Sequence, residues 1–101
     1  MPDYFIHPYT KKQANKYKLV IYPAQDGKHK LEVYNYDGDF LGRIGAYGYL
    51  DYPQYLALET AELAPPGTAD ERRHLYHLRH RSEKNYDTRF SRSWLSAHLL
   101  W

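Results

Sequence analysis

The sequence predicts an α+β fold: a three-stranded antiparallel β-meander over about residues 18–46, packed with a short N-terminal helix and two to three C-terminal helices. Three observations predict it. Three β-like runs follow one another, divided by Asp26-Gly27 and Asp37-Gly38. Asp-Gly between alternating runs is a strong hairpin signal, because both residues tolerate positive φ. Helix-start patterns flank that block, at Thr10–Gln13 and Thr68–Glu71, where a hydroxyl can cap and a longer side chain can reach back.

The first element is a short helix from Lys11 to about Tyr17, with Thr10 as its cap and Gln13 as the reciprocal partner. Residues 18–23 are rich in β-branched and aromatic side chains and close on Pro23. Residues 30–36 alternate, placing Leu31, Val33 and Asn35 on one face, and residues 40–46 form the third run. Residues 45–53 carry Gly45 and Gly48 and read as a turn leading to Pro53, a residue suited to the first helical position. That helix, Pro53 to about Leu63, would present Leu56, Thr60 and Leu63 on one side. The run Ala64-Pro65-Pro66-Gly67 breaks the chain as a tight connector. A helix from Ala69 to about Ser82 follows, with Asp70 and Glu71 in the first turn where the dipole favours them. Its apolar stripe is thin, Leu75 and Leu78 helped by Tyr76. Ser91 or Ser93 caps a last helix whose Trp94, Leu95, His98 and Leu99 share a face that must pack on something.

With 101 residues, the chain is expected to be one domain, 1–101, with a modest core. The aromatic fraction is 17%, including 12 Tyr beside a single Met, so the core must recruit rings for volume. Tyrosine also suits half-buried positions and interfaces. There is no cysteine, which excludes disulfides, thiolate metal sites and a cysteine nucleophile. The opening residues lack a basic stretch followed by an apolar run, and no segment has the length to span a bilayer. The expectation is a protein that is not secreted, intracellular or virion-associated, with no membrane partner.

Net charge is +2, but it is segregated. Residues 1–30 carry +4, residues 31–71 carry −7 and residues 72–101 carry +5. Basic blocks can mark polyanion contacts. The competing expectation is internal, with both basic ends folded back on the acidic middle and the helix arginines paired with Asp51, Glu59 or Glu62. Arg72, Arg73, Arg79 and Arg81 lie on the predicted basic helix, and Lys11, Lys12 and Lys16 on the first helix. Arrayed cations meet phosphates, with counterion release supplying affinity, and the nearby rings of Tyr76, Tyr86 and Trp94 could stack on bases.

Other chemistry is weaker. His74, His77 and His80 recur every third residue, but the outer pair diverge by about 120° around a helix axis, and no H-E-x-x-H pattern occurs. No metal site is expected. Asp37, Asp39 and Asp51 fall in or beside turns, where Asp serves local hydrogen bonding. No nucleophile elbow, P-loop or dinucleotide fingerprint occurs, so no catalytic residue and no cofactor are expected.

From Gly45 onward the chain resembles a family of small, uncharacterised proteins encoded by large nucleocytoplasmic double-stranded DNA viruses. The residues that carry the resemblance are Gly45, Ala46, Gly48, Tyr49, Asp51 and Tyr52, then Tyr76, Arg79 and His80, then Leu99, Leu100 and Trp101. The opening stretch from Ile6 to Ala14 is also similar. One departure is that relatives tend to carry Gly before the last helix, where this chain has Arg89-Phe90-Ser91-Arg92-Ser93, so the approach to that helix is expected to differ. The family brings no activity; the resemblance implies a viral context. The expected function is non-enzymatic binding of nucleic acid, DNA above all, through the seven cations named above. The alternative is a minor capsid or virion structural protein with Tyr47, Tyr49, Tyr52, Trp94 and Trp101 against capsid protein or a second copy. A third class is a small metal-dependent nuclease or hydrolase using His77, His80 and Arg79.

Overall fold

A computed structural model describes residues 4–101. In chain order the elements are α1 (Pro8–Lys16), β1 (Leu19–Pro23), β2 (His29–Asn35), β3 (Phe40–Ala46), α2 (Tyr52–Thr60), α3 (Thr68–His80) and α4 (Arg92–Leu99). The strands form one antiparallel sheet in the order β1-β2-β3, so the meander stands as expected. Leu31 pairs with Pro23 on one side and Ile44 on the other. The two Asp-Gly turns work as their chemistry requires. Asp26 Oδ1 accepts from the backbone of Lys28 and His29, both at 2.9 Å, while Gly27 takes φ 71°. At the second turn Asn35 Oδ1 accepts from Asp37 and Asp39, and Gly38 takes φ 89°.

The inner sheet face contributes Leu19, Leu31, Val33 and Ile44 to the core. α4 and the residue after it add Trp94, Leu95, Leu99 and Leu100, and α1 adds Ala14. Leu31, Leu95, Leu99 and Leu100 are fully buried, each contributing about 1.5–3 kcal/mol by leaving water. The face read on the last helix therefore packs as expected. Its cap is Ser91, whose Oγ accepts from Trp94 N at 3.1 Å. The approach runs through Phe90 at φ 67°, a left-handed conformation that favours glycine. The Phe90 ring offsets this by packing edge-on against Trp94, with centroids 5.4 Å apart.

Three helix boundaries differ from expectation. α1 begins a turn early, with Pro8 in its first turn, and Thr10 lies buried inside it. The Thr10 hydroxyl has no partner among the described residues. Gln13 donates instead across to the His98 carbonyl at 2.9 Å, tying α1 to α4. α2 stops at Thr60 because Glu62 turns left-handed (φ 60°), and Leu63 N bonds back to Leu58 O at 2.8 Å, a Schellman ending. Leu56, Thr60 and Leu63, expected on one side of the helix, are all exposed. α3 is capped by Gly67 rather than Thr68; the Thr68 hydroxyl donates to Pro65 O at 2.7 Å. Tyr76, not Leu78, is the buried residue of its apolar stripe, and Leu78 is exposed.

Candidate nucleic-acid interface

β2 alternates, so Lys30 falls on the face opposite Leu31, where a strand lysine normally meets water. Lys30 is nevertheless only 2% exposed, and Asp51 only 1%. Asp51 caps α2 through a reciprocal box: its Oδ1 accepts from Gln54 N, and Gln54 Oε1 accepts from Asp51 N, both at 3.0 Å. This fixes the carboxylate over β2, where Lys30 Nζ donates to Asp51 Oδ2 and to Gln54 Oε1, each at 3.0 Å. The Tyr4 hydroxyl donates to the same Oδ2 at 2.6 Å. Burial pushes the Lys30 amine below its ordinary range against the opposing pull of Asp51. Burial, with the Asp51 charge and hydrogen bond adding to it, pushes the Tyr4 hydroxyl far above the ordinary tyrosine range. Two buried charges and their donors thus satisfy one another, as such groups must.

This network floors a cleft of about 640 Å³ between the segment 45–51 and α3. The glycine at 45 lets the chain cross closely: a Cβ there would stand 2.7 Å from Leu100 Cδ1 and 3.1 Å from Lys30 Cδ, and φ is 81°. The opposite wall comes from one face of α3. Arg72, Tyr76, Arg79 and His80 follow at i, i+4, i+7 and i+8, the spacing of a single helical stripe, and all four line the cleft. Their rings form a tower with Trp101. Tyr76 stacks on Trp101 at 4.5 Å and on His80 at 4.1 Å, and its hydroxyl donates to Ser96 Oγ at 3.1 Å. Tyr55 meets Trp101 at 6.3 Å, and Arg72 lies over the Tyr55 ring at 5.8 Å.

Of the acids expected to pair with these arginines, Asp51 and Glu59 are engaged elsewhere, and Glu62 enters no ion pair among the described residues. Asp51 holds Lys30. The Glu59 carboxylate caps α3, accepting from Gly67 N at 2.6 Å and Ala69 N at 2.9 Å. Asp70 Oδ1 accepts from the Tyr52 hydroxyl at 3.2 Å. Among the described residues the ion pairs are His29–Asp26, Lys30–Asp51, Arg43 with Asp26 and Glu32, and His80–Glu83. Arg72, Arg73, Arg79 and Arg81 take part in none of them. Lys30 and Asp51 pair with each other, and the other two cations that line the cleft, Arg72 and Arg79, enter no ion pair among the described residues.

The other predicted cations are dispersed. Arg73 lies over the Tyr52 ring at 4.8 Å, beside the cleft rather than in it, and exposed Arg81 follows the last turn of α3. Lys11 borders a groove between α1 and β1. Lys12 is exposed on α1, and Lys16 lies 5.3 Å from the Tyr17 ring. Of the seven cations, Arg72 and Arg79 line the cleft. Of the expected interface rings, Trp94 belongs to the core, stacked on His98 at 3.9 Å, and offers no open face. Tyr47 packs against the core as well. Tyr52 is half-buried with its ring against Tyr9, Trp101 lines the cleft, and Tyr49 stands at its edge, 76% exposed.

His74, His77 and His80 part company: His77 Nδ1 lies 2.6 Å from the Tyr86 hydroxyl, His80 Nδ1 lies 2.8 Å from Glu83, and His74 is exposed. Burial lowers the His77 pKa below its ordinary value, with a hydrogen bond to the Trp101 backbone opposing. Among the described residues no three His, Asp or Glu side chains gather as a metal site, and no helix is long and apolar enough to cross a membrane. Sequence reasoning missed Lys30, Tyr4, Gln54 and Tyr55. A signal existed for one pair: Asp51-x-x-Gln54 has the capping-box spacing, with Pro53 inside the first turn. The cleft also gathers three segments far apart in the chain, 45–51, 72–80 and 100–101.

No protein-family model, curated protein or solved structure matches this chain.

Proposed function

We propose that the protein binds nucleic acid without catalysing a reaction on it, using the arginines of α3. One observation carries this reading: Arg72, Arg73, Arg79 and Arg81 are free of ion pairs among the described residues. Unneutralised guanidiniums on a helix can displace counterions from a phosphate backbone, which supplies affinity and makes it salt-dependent. The cluster centres on Arg72 and Arg79, with Arg73 and Arg81 as outlying contacts and the lysines of α1 peripheral. The setting, on the resemblance described above, is a large DNA virus. The test is fluorescence anisotropy of a labelled oligonucleotide over a salt series. Binding at about 50 mM salt that weakens steeply towards about 200 mM supports the reading; no binding at the lower salt overturns it.

A second reading, a minor capsid or assembly protein, is favoured by the outward apolar side chains of Leu50, Leu56 and Leu63. Apolar surface left open often marks a protein contact. Concentration-dependent assembly without nucleic acid, measured by sedimentation, would favour it over the first.

A further inference from the structure

Inside the cleft the Trp101 ring contacts those of Tyr55 and Tyr76, whereas Tyr49 at the edge makes no ring contact among the described residues. It is 76% exposed, against 43% for Leu50 beside it. A ring held in water beside an aromatic wall and two unpaired guanidiniums combines two kinds of recognition. A free inorganic anion would engage only the guanidiniums. A molecule with both a flat heteroaromatic face and a phosphate would engage everything that lines the site. The space, about 640 Å³, falls in the range of pockets that enclose small molecules.

We infer that the cleft receives one unpaired nucleotide of a single-stranded nucleic acid, its base against Tyr49 and the Tyr55–Trp101 wall and its phosphate on Arg72 and Arg79. This rests on the nucleic-acid reading above and sharpens it to a strand preference. Within a duplex each base face is covered by its neighbours, so rings recessed in a cleft reach a base only when the strand is unpaired or the nucleotide is turned out. A duplex can therefore offer the arginines its phosphates and the rings nothing. Base–aromatic stacking is sequence-tolerant, because every base has a π-face, so the preference is for single strands in general. Neutral Lys30–Asp51 pairing beneath the cleft leaves the field at the mouth to the two arginines, which suits a single phosphate group.

The experiment measures anisotropy of the full chain with a labelled oligonucleotide of about a dozen nucleotides, single-stranded and annealed to its complement, at one salt concentration. The single strand is expected to bind at least about tenfold tighter. Tyr49→Ala, at a largely exposed position, is expected to weaken the single strand by about 5- to 150-fold, the range for losing one stacked base. Its duplex affinity stays unchanged, and Tyr49→Phe retains single-strand binding. Equal affinity for both forms, with Tyr49→Ala silent, overturns the nucleotide cleft while leaving the phosphate-binding role of α3 standing. Failure of both forms to bind overturns the two together.

Discussion

Replacing Lys30 by Met should be among the most damaging single changes in this protein, although a strand lysine is ordinarily expendable. The Lys30 ammonium is 2% exposed and donates at 3.0 Å to Asp51 Oδ2 and at 3.0 Å to Gln54 Oε1. Met keeps most of the side-chain volume, so the packing loss is small. What remains is a carboxylate, 1% exposed, held by the Tyr4 hydroxyl at 2.6 Å and Gln54 N at 3.0 Å with no cation beside it. Breaking a buried pair from one side costs about 3–5 kcal/mol, and the two surviving donors place this case near about 3 kcal/mol. For a domain whose total stability is about 5–15 kcal/mol, that is a large fraction. Adding Asp51→Asn removes the stranded charge and keeps one oxygen for the α2 cap, with the amide NH2 donating to the Tyr4 hydroxyl in place of the lost acceptor. The double variant should then be more stable than Lys30→Met by about 1–2 kcal/mol, since a neutral replacement of a buried pair is far less costly than half of one. Urea unfolding at neutral pH, followed by tryptophan fluorescence, reads both differences. A Lys30→Met protein within about 1 kcal/mol of the parent, or a double variant weaker than the single, would refute the reasoning, because the pair would then be neither buried nor coupled.

Other consequences follow from the same geometry. Gly45→Ala should cost more than Gly38→Ala, because both sites have positive φ but only position 45 has a neighbour in the way, Leu100 Cδ1 at 2.7 Å. Strain alone predicts about 1 kcal/mol at 38, and chemical denaturation should show a clear excess at 45. Leu95→Ala should lose about 2–5 kcal/mol, read as a lowered urea midpoint, since Leu95 is fully buried in the core. Tyr4 has a raised pKa when folded, so its contribution is fully present below the unfolded value of about 10 and is lost as pH rises above it. Tyr4→Phe should flatten that alkaline decline and cost about 1.5–3 kcal/mol at neutral pH through the missing bond to Asp51. His77 has a lowered pKa when folded, so stability should fall as pH drops below about 6.5, where the unfolded chain takes up the proton first. A pH series of thermal melts comparing His77→Gln with the parent checks this.

Much of the fold was legible in local chemistry. Residues 40–46 read as a strand and form β3, and both Asp-Gly turns close hairpins. The apolar face of α4 announced its burial because Trp94, Leu95 and Leu99 recur at helical spacing. The failures are at helix starts. A hydroxyl three residues before Gln or Glu has the capping pattern at both Thr10 and Thr68, yet Pro8 starts α1 earlier and Glu59, a residue of another helix, caps α3. Tertiary partners overrode the local pattern in each case. The outward turn of Leu56 and Leu63 was hidden for a similar reason: α2 has apolar residues on more than one side, and periodicity cannot say which side meets α3.

The cleft was the least legible feature. Lys30 occupies a register position that reads as solvated, and only the capping geometry of Asp51, set by Gln54 and Pro53, brings a carboxylate over it. Arg72 and Arg79 were recognised as candidates from composition, but nothing in the charge pattern separates them from Arg81 or Lys12. Helical phase does: Arg72 and Arg79 share the stripe of buried Tyr76, and that stripe faces the segment 45–51.

The central claim is that two guanidiniums at one cleft remain unneutralised in the folded protein and meet phosphate. Its most direct test is the slope of log affinity against log salt for a single-stranded oligonucleotide, compared between the parent and Arg72→Ala/Arg79→Ala. Losing the one phosphate that the two arginines share predicts a slope shallower by about 0.7. An unchanged slope with unchanged affinity would contradict the claim, placing any polyanion contact elsewhere on the molecule.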